Sequence, residues 1–431
     1  MSEPPLLEDA LARLEARINW ERRDRSAGWR VDLAPMRDLV SRAGHPARGR
    51  GVCHVAGSKG KGSVASLLAA GLSRSGRSVG VFGSPHVERI HERIRIGGQP
   101  IGDEALAAAL GAALGVVADA EADGTAGGDA SWFDIVTLAG LWAFQAAGVD
   151  WIVLEVGLGG RLDSTNVIDP PDVAVVTTIA LEHTAILGGT LSEIAGEKGG
   201  IVKPGSSLVT GTPPGGEAHQ VLSQIARDLG VEHVSAWSGE DQTFEEANVR
   251  VARAALELLG RGVPGLRGDS LAPEAVVAAR LPGRMEWFRS GTTRVLMDGA
   301  HVPSSLEMAL QEAQAAEPGP WGAVVAVHGE KSLSELLSPL ARGGVVRLFA
   351  TTVPGSGIHH PAAAVARAAS ELGLECEDFD TPAEALRAAL GWSAEPESGG
   401  AREERPALMV TGSLYLVGAL RPVLAGSSVR S

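Results

Sequence analysis

The sequence predicts an α/β fold with two domains, each built on a parallel sheet covered by helices. Three observations lead to this prediction. The chain has 431 residues, which is more than one ordinary hydrophobic core accommodates. Short apolar runs alternate along it with helical patterns, as they do in parallel sheets whose strands are joined by helices. A stretch containing Pro and Gly at 260–283 separates two such series and is the candidate domain junction.

The first series begins with leucines at helical spacing, which predict an amphipathic helix at 6–18. The pattern that follows predicts strands at 51–55, 78–82, 151–156, 173–178 and 207–210, helices at 63–73, 103–122 and 133–147, and a loop at 124–129. Because strands and helices alternate, we expect one parallel sheet with helices on both faces.

The second series begins after Leu281-Pro282-Gly283-Arg284. Strands are predicted at 294–297, 323–327, 345–350 and 408–411, again with helices between them. The segment at 394–405 is rich in Glu, Gly and Ser and is predicted to be a surface loop. We therefore expect an N-terminal domain at 1–283 and a smaller C-terminal α/β domain at 284–431.

The composition excludes several classes of protein. The formal net charge of −14 argues against a general nucleic-acid binder, which would need a basic face. No apolar run is expected to approach the roughly 20 residues that span a bilayer, and the first residues lack the features of a secretory signal. Cys53 and Cys376 provide neither a disulfide framework nor zinc-ligand spacing. We expect a cytoplasmic protein that binds neither nucleic acid nor a membrane.

A glycine-rich segment joins the first predicted strand to the following helix. It reads Gly57-Ser58-Lys59-Gly60-Lys61-Gly62-Ser63, and this position between strand and helix is the one that a phosphate-binding loop requires. Glycines let backbone N–H groups turn towards phosphate oxygens, and the helix adds its positive end. Lys61 would reach the β- and γ-phosphates, and the Ser63 hydroxyl would bind Mg²⁺.

Two alternatives to this assignment remain open. The strict eight-residue motif has Gly where this chain has Ala56, so the segment could be an ordinary glycine-rich turn with incidental lysines. A dinucleotide-binding alternative at 157–162 is weaker, because that segment lacks the third glycine of the fingerprint.

Polar residues follow several other predicted strands. Glu155 ends one strand, Ser84 and His86 follow another, and His183 lies just past a third. The carboxyl ends of parallel strands face the crevice in which α/β proteins bind ligands. Each residue alone is more often structural, since helix caps and surface turns hold many histidines. Their joint placement at successive strand ends favours a metal and phosphate site.

A series of segments along the chain comes in an order that resembles a known family. The segments are 57–63, 84–86, 92–96, 133–137, 155–166, His183, 197–201, 281–284, 298–301 and 412–416. Their order is that of dihydrofolate synthase/folylpolyglutamate synthase, a branch of the Mur-ligase superfamily, and the resemblance runs from about residue 10 to 425.

The resemblance implies a P-loop ATPase domain followed by a smaller α/β domain, with ATP and Mg²⁺ as cofactors. It implies that Gly57, Gly60, Lys61, Gly62 and Ser63 hold the phosphates. The implied magnesium ligands are Ser63, Ser84, Glu155, His183 and Lys198, and the implied catalytic residues are Lys61, His183, Lys198 and His301. Nucleotide contacts are implied for Asn248, Arg284 and Asp298.

Lys198 matches a lysine that can be carbamylated in this family to hold a second Mg²⁺. A carbamate is a carboxylate-like oxygen ligand, which suits a hard cation. The structural alternative is an ion pair on its own helix with Glu193 or Glu197.

The chain departs from the family pattern at several positions. Ser58-Lys59 replaces Thr-Asn, Glu182 replaces the Asp before the histidine, and Val302 replaces the Asn after His301. The segment between residues 230 and 248 is shorter than usual and keeps only Asp241-Gln242 and Asn248, and Glu330-Lys331-Ser332 replaces Asp-Lys-Asp. These departures bear on substrate selectivity more than on ATP chemistry.

The resemblance implies a monomeric ATP-dependent ligase that adds L-glutamate to dihydropteroate, a folate or both through an acyl phosphate. One alternative is an amide ligase of the same superfamily that takes a different acid or amino acid. The other, from a different class, is a P-loop regulatory ATPase that makes no amide.

Overall fold

The computed structural model describes residues 6–20, 32–239, 243–329, 331–354, 359–394 and 405–427. The described chain divides into two compact units between Arg280 and Leu281. The predicted loop at 394–405 lies almost wholly outside the described residues, as do Asp241, Gln242 and Glu330.

The first unit is built on an eight-stranded sheet in the order β4-β3-β2-β5-β1-β6-β7-β8. Its strands are Gly51–Ala56 (β1), Val79–Phe82 (β2), Ile94–Ile96 (β3), Gln99–Pro100 (β4), Trp151–Glu155 (β5), Val173–Val176 (β6), Ser207–Thr210 (β7) and His233–Ser235 (β8). From β2 to β8 the neighbouring strands pair in parallel, whereas β3 and β4 pair antiparallel at one edge. The predicted parallel sheet is confirmed, and the antiparallel edge was not predicted.

The α-helices of this unit cover both faces of the sheet. They are Leu7–Glu15 (α1), Ala34–Arg42 (α2), Lys61–Arg74 (α3), Asp103–Ala122 (α4), Trp132–Ala146 (α5), Thr184–Leu187 (α6), Leu191–Gly199 (α7), Glu217–Leu229 (α8), Phe244–Gly260 (α9) and Pro273–Ala278 (α10). The segment predicted as a loop at 124–129 contains a short 3₁₀ helix, Ala126–Asp129, and the predicted helix at 6–18 ends earlier, at Glu15.

The alternation of side chains along β5 shows how the two faces are filled. Ile152 and Leu154 lie in one core cluster with residues of α4 and α5, and Trp151 and Val153 lie in another with residues of α3 and α9. Successive side chains of a strand point to opposite faces, and strands buried on both faces are continuous apolar runs. The central strands were therefore predictable from the sequence.

One described helix, α4, is long and apolar enough by length and composition to cross a membrane. The expectation that no apolar run approaches this length was therefore wrong by that criterion. Leu106, Leu110, Leu114 and Val117 are buried in the core cluster that α4 shares with α5. This is the environment of a core helix, which passes the same test of length and composition.

The second unit has a six-stranded sheet in the order β13-β12-β11-β14-β10-β9. Its strands are Glu286–Ser290 (β9), Thr293–Met297 (β10), Trp321–Val325 (β11), Val345–Thr351 (β12), Glu375–Phe379 (β13) and Ala407–Thr411 (β14). Its helices are Pro303–Ala316 (α11), Leu333–Arg342 (α12), Ala362–Glu371 (α13), Pro382–Ala394 (α14) and Leu414–Ser427 (α15). The sheet is parallel except at β9, which pairs antiparallel with β10. The predicted α/β character of this unit is confirmed.

Candidate active site

The glycine-rich loop connects the end of β1 to the first turn of α3. Ala56 is the last residue of β1 and pairs with Val176 of β6, so the departure from the strict motif falls in the strand and not in the turn. The loop turns at Gly57, with φ 144°, and at Gly60, with φ 80°. Gly62 and Ser63 lie in the first turn of α3.

Neighbouring side chains also leave no room for a Cβ at either of these two glycines. A Cβ at Gly57 would lie 1.8 Å from Thr177 Oγ1, and a Cβ at Gly60 would lie 2.1 Å from Asn248 Oδ1. Backbone at positive φ with no room for a side chain is a position that only glycine fills without strain. The predicted nucleotide contact Asn248, near the start of α9, therefore lies directly against the loop.

The residues after β6 hold the loop in place. The Ser58 amide donates to the Thr178 carbonyl oxygen at 2.7 Å, and the Lys59 amide donates to Thr178 Oγ1 at 3.2 Å. The Ala180 amide donates to Ser58 Oγ at 3.0 Å. The hydroxyl of Ser58, a position that departs from the family pattern, thus has a structural role. Thr177 and Thr178 were not predicted as part of the site, although a polar pair directly after a buried strand was a usable signal.

Two lysines converge on one carbonyl oxygen of the loop. Lys61 Nζ donates to Gly57 O at 2.9 Å, and Lys198 Nζ donates to the same oxygen at 3.0 Å. Lys198 lies near the end of α7, is 1% exposed and also donates to Glu182 Oε1 at 2.9 Å. The structure therefore brings together Lys61, Lys198 and the residue that precedes His183.

The charges around Lys198 shift its pKa and that of its partner. Burial and the nearby Lys61 together lower the pKa of Lys198 to about 8, although Glu182 opposes both effects. Burial alone would raise the pKa of Glu182, but Lys198 and Lys61 together hold it at about 2. Glu182 is thus a carboxylate at neutral pH.

The ion pair expected for Lys198 as the structural alternative was assigned to the wrong partners. Glu197 Oε1 accepts from Arg161 at 2.7 Å, and Glu193 accepts from the backbone and side chain of Thr190 as part of the N-terminal cap of α7. The observed partner of Lys198 is Glu182, which approaches from the preceding loop. Helical spacing could not reveal this contact, because it joins two different segments.

Glu155 and Ser84 are also brought together. Glu155 is the last residue of β5 and is 7% exposed, and the Ser84 amide donates to Glu155 Oε2 at 3.1 Å. β5 lies between β2 and β1 in the sheet, so the two strand ends adjoin. Glu155 therefore stands between the segment containing Ser84 and the glycine-rich loop.

His183 begins the short helix α6 in a left-handed conformation, with φ 46°. Its side chain makes no capping hydrogen bond to that helix. The helix-cap explanation for this histidine is therefore not supported. His86, four residues after the end of β2, accepts a hydrogen bond at Nδ1 from Arg93 Nε at 2.8 Å.

The oxygen-rich donor set fits magnesium better than a softer metal. Among the described residues no group of three or more His, Cys, Asp or Glu side chains could hold a metal ion. The predicted ligands include only two such residues, Glu155 and His183, beside the hydroxyls of Ser63 and Ser84. Mg²⁺ commonly uses one or two carboxylates together with substrate phosphates and several waters. A strand-end carboxylate beside a phosphate loop suits that mode of binding.

In the second unit, Asp298 directly follows β10 and is 8% exposed. Its carboxylate accepts from the Met285 amide and from the Ala300 amide, both at 2.9 Å. The first of these bonds fixes the turn that contains the exposed Arg284. His301 Nδ1 lies 2.9 Å from the Gly299 carbonyl oxygen. The structure thus brings Asp298, His301 and the Arg284 turn to one end of the second sheet.

Comparisons with known proteins agree with these observations. Residues 283–402 match the family model described as Mur ligase, glutamate ligase domain. The chain is 30% identical over 418 residues to the folylpolyglutamate synthase of Lacticaseibacillus casei, an alignment covering 90% of this chain and 93% of that protein. It is 38% identical over 300 residues to a probable bifunctional folylpolyglutamate synthase/dihydropteroate synthase of Haloferax volcanii, but this alignment spans only 35% of that longer protein.

A solved structure extends the agreement to the whole chain. The structure of E. coli FolC in complex with DHPP and ADP has a TM-score of 0.80, is 27% identical in sequence and covers 98% of each chain. The similarity therefore includes both sheets. The chain belongs to the dihydrofolate synthase/folylpolyglutamate synthase family.

Proposed function

We propose that this protein is an ATP- and Mg²⁺-dependent ligase that adds L-glutamate to a pterin-containing acid, either dihydropteroate, a reduced folate or both. The observation that carries the proposal is the convergence of Lys61 and Lys198 on Gly57 O at the edge of the sheet where β5 ends in Glu155. This end of the sheet combines a turn for phosphates, the ammonium group of Lys61, an oxygen ligand for a hard metal and a second lysine, Lys198, whose amine can be converted to a carbamate.

The chemical problem is that a carboxylate does not accept an amine, because its leaving group would be oxide. Transfer of the γ-phosphoryl group of ATP to the carboxylate gives an acyl phosphate. The α-amine of glutamate then attacks the acyl carbon, and phosphate leaves. In such reactions the protein contributes chiefly positioning and neutralisation of charge.

We assign the residues of this chain to those tasks. Gly57, Gly60 and Gly62 leave room for the phosphates beside the N-terminus of α3. The Lys61 ammonium neutralises charge on the transferring group. Bound Mg²⁺ would neutralise further phosphate oxygens, and the residues that would hold it are Ser63, Ser84, Glu155, His183 and Lys198, the last as a carbamate.

Further roles are assigned from the resemblance to the family. Asn248, Arg284 and Asp298 contact the nucleotide, and His301 acts in the reaction. The contact of Asn248 with the phosphate loop supports the first of these assignments. We place the boundary between the two domains at 283/284, and we propose a monomeric cytoplasmic enzyme that binds neither nucleic acid nor a membrane.

The requirement for both co-substrates tests this proposal against its alternatives. Purified protein with ATP and Mg²⁺ should release phosphate only when an acid and an amino acid are both present. Phosphate release without either co-substrate would favour a regulatory ATPase. Release that requires an acid unrelated to pterins would retain the ligase assignment and overturn the assigned substrate.

A further inference from the structure

A chain of buried hydrogen bonds runs from the middle of β1 to the loop that follows Glu155. His54 Nε2 lies 2.8 Å from Thr165 Oγ1, and Thr165 Oγ1 donates to Asp163 Oδ1. Asp163 Oδ2 accepts from the amides of Gly157 and Leu158 at 3.0 and 2.9 Å. His54 and Thr165 are 0% exposed, and Asp163 is 6% exposed. We call these three residues the buried relay.

The direction of each bond follows from its partners. Burial raises the pKa of Asp163, and four hydrogen bonds from Thr165, Leu158 and Gly157 oppose that effect. All four bonds are donated to the carboxyl group, so that each of its oxygens accepts two of them. The Thr165 hydroxyl therefore gives its single proton to Asp163 and accepts from His54. His54 must then carry its proton on Nε2. Its Nδ1 is buried and has no hydrogen-bond partner within the described part of the chain.

This arrangement is not the one that stability alone would favour. A buried polar atom without a partner costs about 1–3 kcal/mol. An apolar side chain at position 54 would avoid this cost, as the neighbouring residues Cys53 and Val55 do in the same strand. His54 therefore lowers the stability of the fold at its Nδ1 atom, which suggests that its Nε2 bond to Thr165 serves another purpose.

The relay fixes the segment between two proposed magnesium ligands. Gly157 and Leu158, whose amides Asp163 holds, are the second and third residues after Glu155. The same loop then packs on the end of α7, where a Cβ at Gly160 would lie 2.9 Å from the carbonyl oxygen of Lys198. The Arg161 amide completes the contact by donating to Glu197 O at 2.8 Å. The loop thus connects the end of β5 to the helix that carries Lys198.

We propose that His54 is a positioning residue, which acts through Thr165 and Asp163 on the loop at 157–160 and so sets the affinity of the site for its divalent cation. The inference rests on the proposed function, since it takes Glu155 and Lys198 as ligands. Residues that orient metal ligands from outside the coordination sphere commonly change metal affinity or activity by about 10–100-fold when they are replaced.

Thr165 offers a matched pair of variants. Thr165→Val keeps the shape of the side chain and removes the hydroxyl, whereas Thr165→Ser keeps the hydroxyl and removes a methyl group. If the relay positions the ligands, the valine variant should bind Mn²⁺ about 10-fold or more weakly in the presence of a non-hydrolysable ATP analogue. The serine variant should bind Mn²⁺ within about threefold of the parent, even if its melting temperature is lower.

His54 offers a second pair. Gln at position 54 can place an N–H donor near the original Nε2, and Met fills similar volume without a donor. We expect His54→Gln to retain Mn²⁺ affinity and His54→Met to lose it, together with a fall in kcat at unchanged KM for the acid. Mn²⁺ affinity measured by calorimetry or electron paramagnetic resonance does not require turnover.

The outcomes separate this inference from the proposed function. Equal Mn²⁺ affinity in Thr165→Val and Thr165→Ser would overturn the relay. A loss of Mn²⁺ affinity in proportion to the decrease in melting temperature across all four variants would overturn it as well. If the parent made no glutamate adduct but Thr165→Val still weakened Mn²⁺ binding selectively, the relay would stand and the assigned substrate would fall.

Discussion

At the scale of single residues, the buried Lys198 has one charged neighbour, Lys61, that lowers its pKa and another, Glu182, that raises it. Its ammonium donates to Gly57 O and to Glu182, while burial and Lys61 lower its pKa to about 8. A larger share of this amine is therefore neutral near pH 8 than for an ordinary lysine, whose pKa is about 10.4. The neutral amine is the form that combines with CO₂ to give a carbamate. Lys61, by contrast, is only half-buried in the loop, and its charged ammonium group is suited to contact phosphate.

Replacing Lys61 with alanine should remove nearly all turnover and leave the fold intact. The side chain contributes a charge to the transferring group rather than to the core, and loss of one such interaction commonly costs about 10²–10³-fold in kcat. Steady-state kinetics and a melting curve measure the two effects. Arg74→Ala, at the exposed opposite end of α3, is the control and should retain activity. Near-normal turnover in folded Lys61→Ala would refute the assignment of the loop.

Replacing Lys198 with alanine should impair turnover, and added formate or acetate should restore part of it by supplying carboxylate oxygens. Carbamate formation in the parent should rise as pH increases through about 8, because the neutral fraction of the amine grows in that direction. Carbon-13 NMR with labelled bicarbonate measures it. If Lys198→Arg were as active as the parent, the carbamate would be excluded.

At the scale of elements, the central strands were predictable because burial on both faces makes them continuous apolar runs. The edge strands were not, because they are short or carry polar side chains, as in β8 and in β13 with Glu375, Glu377 and Asp378. The phosphate loop was predictable because its spacing is local. Its contacts with Thr178 and Asn248 were not, because they join residues more than a hundred positions apart.

Two glycines with nearly the same positive φ allow a test of the loop. Gly60 has φ 80° and faces Asn248, whereas Gly76 has φ 82° and nothing within 4 Å of its Cβ position. Gly76→Ala should lower the free energy of unfolding only by the cost of placing a side chain on left-handed backbone, about 1–2 kcal/mol. Gly60→Ala should lose more stability and should weaken ATP binding, which Gly76→Ala leaves unchanged. Urea unfolding and nucleotide titration compare the two, and equal losses in both variants would contradict the packing of Asn248 on the loop.

At the scale of the whole molecule, the pH dependence of stability reports on the buried interior of β1. Burial lowers the pKa of His54 from 6.5 to about 3, so between these values the unfolded chain binds a proton that the folded chain does not. The free energy of unfolding should therefore fall as pH decreases below 6.5. His54→Gln should show a smaller fall between pH 7 and pH 5 in urea unfolding. Parallel pH profiles for the two proteins would contradict a neutral buried His54.

The family and its two sheets could be predicted from the order of the motifs along the chain. The departure in the glycine-rich loop, Ser58-Lys59, leaves its glycines and Lys61 unchanged, whereas other departures lie at Val302 and in the shortened segment before Asn248. Phosphate and Mg²⁺ tolerate little geometric error. We therefore expect nucleotide chemistry typical of the family. Any difference between this protein and other members should lie in its specificity for the acid substrate.

The most direct test of this account is the mass of the product. The purified protein is incubated with ATP, Mg²⁺ and L-glutamate, and with dihydropteroate or tetrahydrofolate in separate reactions, and each is analysed by mass spectrometry. With at least one of the two acids we expect a product that is heavier than the acid by one glutamate residue and that forms only when ATP is present. Absence of the adduct with both acids, from protein that binds ATP and Mg²⁺, would contradict this expectation.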